Sequence, residues 1–346
     1  PPRSTLSSSS AASDVYKRQI QGCLALGTSL NKKGYDHVFY VKLASASVFS
    51  SLISNNDPEK IKRTVNNILL DGLNLRAYRH EPNVGKRKSW AAGDAVSRGI
   101  ELASISEFED ELYSEIQKDK NWGFEKVFLN GENLSFGKDL NDWVIENVLF
   151  KVLYPAEFHG QSAIEASVKL SELYKEKEQE IEKIIVETHE PAIRIISNKE
   201  NLKNASDRDH SLEFMVAAGL LFKEVNSKTY EDNFSGLKQI ENLRRKIKAQ
   251  ENKEFTENYY DMSKRHIANT VYFEYTDGSF SKKETVETPI GHPNRREEAE
   301  PLLKQKFINN MSSHFSEERA KDIWEKILLI DVDSEFKEVI KLLSND

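Results

Sequence analysis

Ile181-Glu182-Lys183-Ile184-Ile185-Val186-Glu187-Thr188 is the stretch where the hydrophobic period of the chain changes. Before it, apolar residues recur at steps of three and four; here β-branched residues crowd together, the pattern of a strand. A strand pair follows in Thr270-Val271-Tyr272-Phe273-Glu274-Tyr275 and in Phe280 to Thr288. Between them Thr276-Asp277-Gly278-Ser279 carries the Asp-Gly signal of a hairpin turn, because glycine reaches positive φ at little cost. Ser211 to Phe222 reads as an apolar helix, so a small α+β unit spans about Ile181 to Ile290.

Outward from that unit the periodicity is helical. Val41, Leu43, Ala44, Val48, Phe49, Leu52 and Ile53 line one helix. Asp57-Pro58 starts another at Glu59, carrying Ile61, Val65, Ile68 and Leu69. Ala91 to Ile105 reads as a third, whose Ala92, Ala95 and Gly99 predict close packing, and Ile164 to Leu173 as a fourth. The charged run Lys175 to Glu180 reads as a solvated helix face or a boundary loop. After Pro301 the helical pattern returns through Leu302, Leu303, Phe307 and Ile308, then Ile323, Trp324, Ile327 and Leu328. The expected fold is mainly α with an α+β insert: residues 20–177 helical, 178–294 α/β, and 295–346 helices returning to the helical part.

Residues 1–19 read differently. Ser7 to Ser13 is a low-complexity polar run. Asp14-Val15-Tyr16-Lys17-Arg18-Gln19 back-translates readily as a transposon end used in preparing sequencing libraries. These residues are therefore expected to be a non-native tail that does not fold with the rest. Ile20 starts inside an apolar pattern without a cap, and the first methionine is Met215, so the natural gene product is expected to begin upstream.

With 49 basic and 56 acidic residues the chain has a net charge of −7, which gives no overall steering toward nucleic acid or an anionic membrane. No apolar run approaches the ~20 residues a bilayer span needs. The single cysteine, Cys23, excludes an internal disulfide and any site needing three or four thiolates. A soluble protein of a reducing compartment is the expectation.

Chemistry concentrates in two places. Arg76 to Trp90 holds Arg76, Arg79, Lys86, Arg87 and Lys88 with one acid, Glu81, in an otherwise acidic protein. Its Pro and Gly make most of it a loop, with Lys88 or Ser89 just before a helix; cations beside a helix N-terminus suit a carboxylate or phosphate. A solvated surface patch is the plain alternative. The second is Lys151-Val152-Leu153-Tyr154-Pro155-Ala156-Glu157-Phe158-His159, where a Lys, a Glu and a His could share acid–base work. The plain alternative makes Lys151 a surface residue and His159 a capping or core histidine. Thr188-His189-Glu190 and Ser206 to His210 read as polar clusters, with Asp209 or Ser206 expected to cap the next helix. No HxxxH, HExxH, P-loop, GxSxG or GxGxxG spacing occurs.

Longer strings carry a resemblance. Asp36-His37-Val38, Asp71-Gly72, Arg76-Ala77-Tyr78-Arg79-His80, Arg87-Lys88-Ser89-Trp90-Ala91-Ala92-Gly93-Asp94 and Tyr154-Pro155-Ala156-Glu157-Phe158-His159 are among them. So are Thr188-His189-Glu190, Ser206-Asp207-Arg208-Asp209-His210, Tyr259-Tyr260-Asp261 and Pro289-Ile290-Gly291-His292. From about Ile20 to near its C-terminus the chain resembles the MmgE/PrpD family, and several strings resemble its dehydratase branch.

The resemblance implies a helical large domain and a smaller α/β lid with an active site between them. It implies elimination of water from 2-methylcitrate to 2-methyl-cis-aconitate in propionate breakdown, with no cofactor or metal and with homodimerisation. The location implied is cytoplasmic, or mitochondrial in a eukaryote. Lys88 and Lys151 are then substrate-carboxylate binders or proton donors, His37 and His159 the acid–base candidates, and Arg76 and Arg79 further cations for a small tricarboxylate. Other lyases or an epimerase of the same fold, such as a cis-aconitate decarboxylase, or an inactive carboxylate-binding relative, are the alternatives. Two departures bear on these roles. The family's upstream helical segment, with its Asp-rich motif and a histidine, has no counterpart here, and Phe214 stands where many relatives carry Tyr.

Overall fold

A computed structural model describes residues 6–79, 84–113, 115–141, 143–197, 200–330 and 341–344. By its internal contacts the chain divides into two compact units, one formed by Pro1–Val148 with Met311–Asp346 and the other by Leu149–Asn310.

The first unit is helical. Helix Leu6–Gly27 runs through residues 6–19 into Ile20, so the tail expected to stand apart is continuous with the first helix. Gln19 in that helix is buried, and its Oε1 accepts the Val144 N–H at 3.1 Å. Helix Val38–Ile53 packs against Arg87–Ser106, and both pack on Pro58–Leu70. Asp57 caps the last of these with hydrogen bonds from the Glu59 and Lys60 N–H groups, as its place before Pro58 predicts. Ala95 and Gly99 are buried while Ala92 is exposed; a Cβ at Gly99 would lie 2.7 Å from the Lys42 carbonyl oxygen, so only glycine admits this approach. Leu24, Leu30, Phe39, Leu43, Ile68, Leu102, Phe124 and Leu129 fill the core of the unit, with Phe39 stacked on Phe124.

The second unit contains a four-stranded mixed sheet in the order β2-β1-β3-β4. β1 (Ile181–Thr188) lies in the middle, parallel to β2 (Ile247–Glu251) and antiparallel to β3 (Asn269–Tyr275). β4 (Glu284–Val286) pairs antiparallel with β3 across the expected Asp-Gly turn. Helices Gln161–Lys177 and Leu212–Phe222 pack on each other, the first against β3 and β4 and the second against β2. That packing explains why the contact division falls at Val148 and not at 177/178. Ile164, Leu170, Ile184, Val186, Phe214, Met215, Leu220 and Phe273 make the core, and leaving water stabilises such residues by ~1.5–3 kcal/mol each. Helix Arg296–Met311 starts before Pro301 and carries it past the first turn, where the missing N–H leaves the Glu297 carbonyl without its usual intrahelical donor.

Candidate active site

In the second unit the sequence folds one imidazole between a carboxylate and a phenol. Glu157 precedes the short 3-10 turn Phe158–Gly160 and caps it, its Oε2 accepting the His159 N–H at 2.7 Å. The same carboxylate meets His159 Nδ1 at 2.8 and 2.9 Å. On the other side of the ring, His159 Nε2 lies 3.2 Å from the hydroxyl of Tyr259, which sits in helix Lys253–Tyr260. Asn269 at the start of β3 fixes the turn from below, donating to the His159 carbonyl at 3.0 Å and to Ser162 Oγ at 2.8 Å.

His189, at the junction of β1 and helix Glu190–Ile196, completes the group. It is fully buried, its ring stacks on Tyr259 at 4.8 Å with 12° between planes, and it lies 5.2 Å from the His159 ring. Its Nδ1 lies 3.4 Å from both the Ala268 carbonyl oxygen, which only accepts, and the Thr188 hydroxyl, which can donate or accept. Its Nε2 is buried and has no hydrogen-bond partner among the described residues.

Burial and charge set these groups apart. Burial alone would raise the Glu157 pKa, but the charge and hydrogen bonds of His159, with His210 nearby, outweigh it and bring it down to about 2. Burial, reinforced by His159, pushes His189 down to about 3, so it is neutral at pH 7. Burial pushes the Tyr259 phenol up, so it keeps its proton. A fixed carboxylate, an imidazole and a protonated phenol in contact can hold and move one proton.

In the first unit a second group forms around Asp36, whose side chain is wholly buried. Segment 34–36 pairs with 74–76 through Tyr35 and Leu75, which brings Arg76 and Arg79 beside Asp36 and His37. Asp36 Oδ2 accepts Arg79 Nε at 2.7 Å and Oδ1 accepts the Val38 N–H at 3.1 Å. His37 Nδ1 lies 3.3 Å from Asp36 and 3.4 Å from an Arg76 nitrogen, and Arg76 also donates to Asn31 at 3.0 Å. Burial opposes the Asp36 charge, yet Arg79, Tyr78 and His37 hold its pKa below the ordinary carboxylate range. Burial, with Arg79 and Arg76 added, lowers the His37 pKa despite Asp36.

The residues expected from sequence are thus sorted into two sets. His37, Arg76 and Arg79 come together in the first unit. Lys88 lies inside the first turn of helix Arg87–Ser106, not before it, and is half-buried. Its neighbour Arg87 is stacked 4.4 Å over the Trp90 ring and paired with Asp94 at 3.1 Å. His80 to Asn83 of the basic loop lie outside the described residues. In the second unit His159 is neither a simple cap nor a core histidine, while Lys151 is exposed and runs 6.0 Å from the Phe158 ring. Phe214 is fully buried and stacked on Tyr230 at 5.9 Å.

The expected caps are corrected. Ser211 caps helix Leu212–Phe222 through the Phe214 N–H and Asn204 caps Ala205–Arg208. The Asp209 carboxylate turns instead to His210 Nδ1 at 2.5 Å, and its carbonyl accepts the Glu157 N–H at 3.0 Å. Spacing grouped Glu157 with Lys151 and His159 for acid–base work, but His189 and Tyr259 were not singled out as site residues that way. Only the quoted strings around them pointed there, since Tyr259 is 100 residues from His159.

These features define a mainly helical two-unit protein whose α/β unit carries a carboxylate–imidazole–phenol group. Residues 18–137 match the MmgE/PrpD N-terminal domain and residues 154–331 the MmgE/PrpD C-terminal domain, and the chain belongs to that family. It is similar to a 2-methylcitrate dehydratase of Escherichia coli, 43% identical over 90% of this chain and 65% of the relative. It is also 39% identical to a 2-methylcitrate dehydratase of Cupriavidus necator, over 90% of this chain and 65% of the relative. A mitochondrial 2-methylcitrate dehydratase of Yarrowia lipolytica is 38% identical over 89% of this chain and 60% of its own length. The chain therefore spans a little under two thirds of these relatives. Among the described residues no helix is long and apolar enough to cross a membrane.

Proposed function

We propose that this chain forms most of a hydro-lyase that eliminates water from 2-methylcitrate to give 2-methyl-cis-aconitate, as the names of its relatives suggest. The observation that carries the reading is His159 held between Glu157 and Tyr259. Elimination needs a base to take a proton from the carbon next to a carboxylate, while the C–O bond breaks and an acid protonates the departing hydroxyl as water. His159 is the group given the proton-transfer role, with the ionised Glu157 stabilising its charged form. Arg76, Arg79 and Lys88, in the first unit, are candidate binders of carboxylates. Lys151 remains a candidate carboxylate binder in the second unit.

In this reading the chain's own cations, not a metal, meet the carboxylates, the location is cytoplasmic or mitochondrial, and the protein acts as a homodimer in propionate breakdown. The test is to incubate the chelator-treated chain, alone and extended to its relatives' length, with 2-methylcitrate and follow the absorbance of the conjugated double bond. Turnover abolished by His159→Gln supports the reading. Tricarboxylate binding without turnover in the extended protein overturns it in favour of an inactive relative, and a different product points to another lyase or an epimerase.

A further inference from the structure

We propose that Tyr259 is a positioning residue for His159: its hydroxyl on Nε2, opposite the Glu157 carboxylate on Nδ1, holds the imidazole in one orientation. The inference rests on the acid–base role given to His159 above. An ionised carboxylate only accepts hydrogen bonds, so Nδ1 carries a proton whether His159 is neutral or charged. The phenol matches both states of Nε2, because a hydroxyl donates to the lone pair of the neutral ring and accepts from the N–H of the charged one. An ionised carboxylate or an ammonium in that place would suit one state only.

The phenol is itself held. Its ring lies flat against His189, edge-on to Tyr260 at 5.2 Å, and on a helix started by Asn252, which accepts the Glu254 and Phe255 N–H groups. The neutrality of His189 matters here, because a charged ring 5.2 Å from His159 would oppose its protonation. The other ionisable groups around the trio are Glu157 and His210 on the turn side, Glu190 and Arg194 on the helix after β1, and Tyr260 and Arg265 beside Tyr259. Tyr259 also places a phenol against the proposed acid–base residue in a chain that has Phe at 214.

The test uses ¹⁵N-histidine-labelled full chain, with His159 assigned through His159→Gln. Tyr259→Phe removes one oxygen and keeps the ring stacked on His189. The expected result is a displaced Nε2 resonance, an Nδ1 signal still hydrogen-bonded, and unchanged far-ultraviolet circular dichroism. In wild type, a slowly exchanging phenolic proton coupled to Nε2 is expected, which requires no variant to fold. Where turnover is measurable, Tyr259→Phe is expected to lower kcat by roughly ten- to a hundredfold, move its pH profile and leave KM nearly unchanged. An Nε2 resonance that stays in place, with no phenolic proton coupled to it, overturns the positioning role. Failure of the acid–base reading has a separate signature: His159→Gln keeps its turnover while the resonances still show the Tyr259 contact.

Discussion

The Glu157 carboxylate and the His159 imidazole, two residues apart, share three contacts: one from the His159 backbone N–H at 2.7 Å and two to Nδ1 at 2.8 and 2.9 Å. One side chain thus caps a turn and fixes a ring at once. The turn is short, so there is little slack between the two tasks, and rotating the ring away would give up both Nδ1 contacts.

Glu157→Gln tests the charge while keeping a capping oxygen. The folded-state pKa of about 2 lies below the ordinary 4.5, so the carboxylate's contribution to stability is full above 4.5 and is lost as pH falls through about 2. The variant should lose on the order of 2–3 kcal/mol in urea unfolding at pH 6, with the gap to wild type closing between pH 4.5 and 2. A gap that stays constant with pH would assign the loss to shape and not to charge.

Arg79 and Asp36 form the corresponding pair in the first unit, with the carboxylate wholly buried. Asp36→Asn should cost about 3 kcal/mol, because it strands a guanidinium at a mostly buried site. Arg79→Met instead leaves a buried carboxylate, whose pKa then rises above its unfolded value. That contribution is present below the unfolded pKa and is lost as pH rises, so the penalty of Arg79→Met should be smaller at pH 4 than at pH 7. The double variant should cost less than the two single losses added, as residues in contact require. Strict additivity in a double-mutant cycle would show that the pair is not energetically coupled.

How much of this was legible from sequence depends on the distance over which each signal acts. The change of period at Ile181, the Asp-Gly turn and the Asp57-Pro58 start all rest on local sterics and hydrogen bonds, and each lies where the spacing placed it. The start of the first helix was not, because Ser7 to Ser13 has no apolar stripe, yet the helix runs from Leu6 into Gly27. Lys88 was one turn out for a similar reason: helix propensity continues back through Arg87, and no Ser, Thr, Asp or Asn precedes it as a cap. The acid–base group lies beyond periodicity altogether. Its members come from a turn, a strand end and a later helix, and what joins them is the pairing of β1 with β3, which brings Ala268 and Asn269 to His189 and His159. Asp36 was quoted only within a string, since nothing local indicates a charge that is buried by a partner 43 residues away.

His189 predicts an acid limb of its own. Its folded pKa of about 3 lies below the ordinary 6.5, so between those values the unfolded state binds the extra proton. Stability is therefore full above 6.5 and falls as the pH drops toward 3. His189→Phe keeps a flat ring against Tyr259 and removes the titration. Its unfolding free energy should decline more shallowly than wild type between pH 6.5 and 4, measured by urea midpoints at constant m-value. A variant with the wild-type slope would place the acid sensitivity elsewhere, and not at Glu157 above pH 4.5, because its own loss begins only below that value.

Gly291 fixes the segment that leads into the acid–base turn. Its φ is 99°, and its carbonyl accepts the Phe150 N–H at 3.0 Å. A Cβ at this position would stand 2.1 Å from the Phe150 carbonyl oxygen and 3.0 Å from a Val152 methyl. The left-handed conformation alone costs a residue with a Cβ about 1–2 kcal/mol. Here the substituent also collides with backbone that cannot swing aside as a side-chain tip would. Gly291→Ala should therefore cost more than ~2 kcal/mol, and the displacement should travel along Phe150 to Lys151, where Lys306 Nζ is bound to the Lys151 carbonyl. Hydrogen exchange at the Phe150 amide should accelerate along with the loss of stability. An unchanged amide in a destabilised Gly291→Ala would mean that the strain is absorbed at 291 itself and that the contact does not hold this segment.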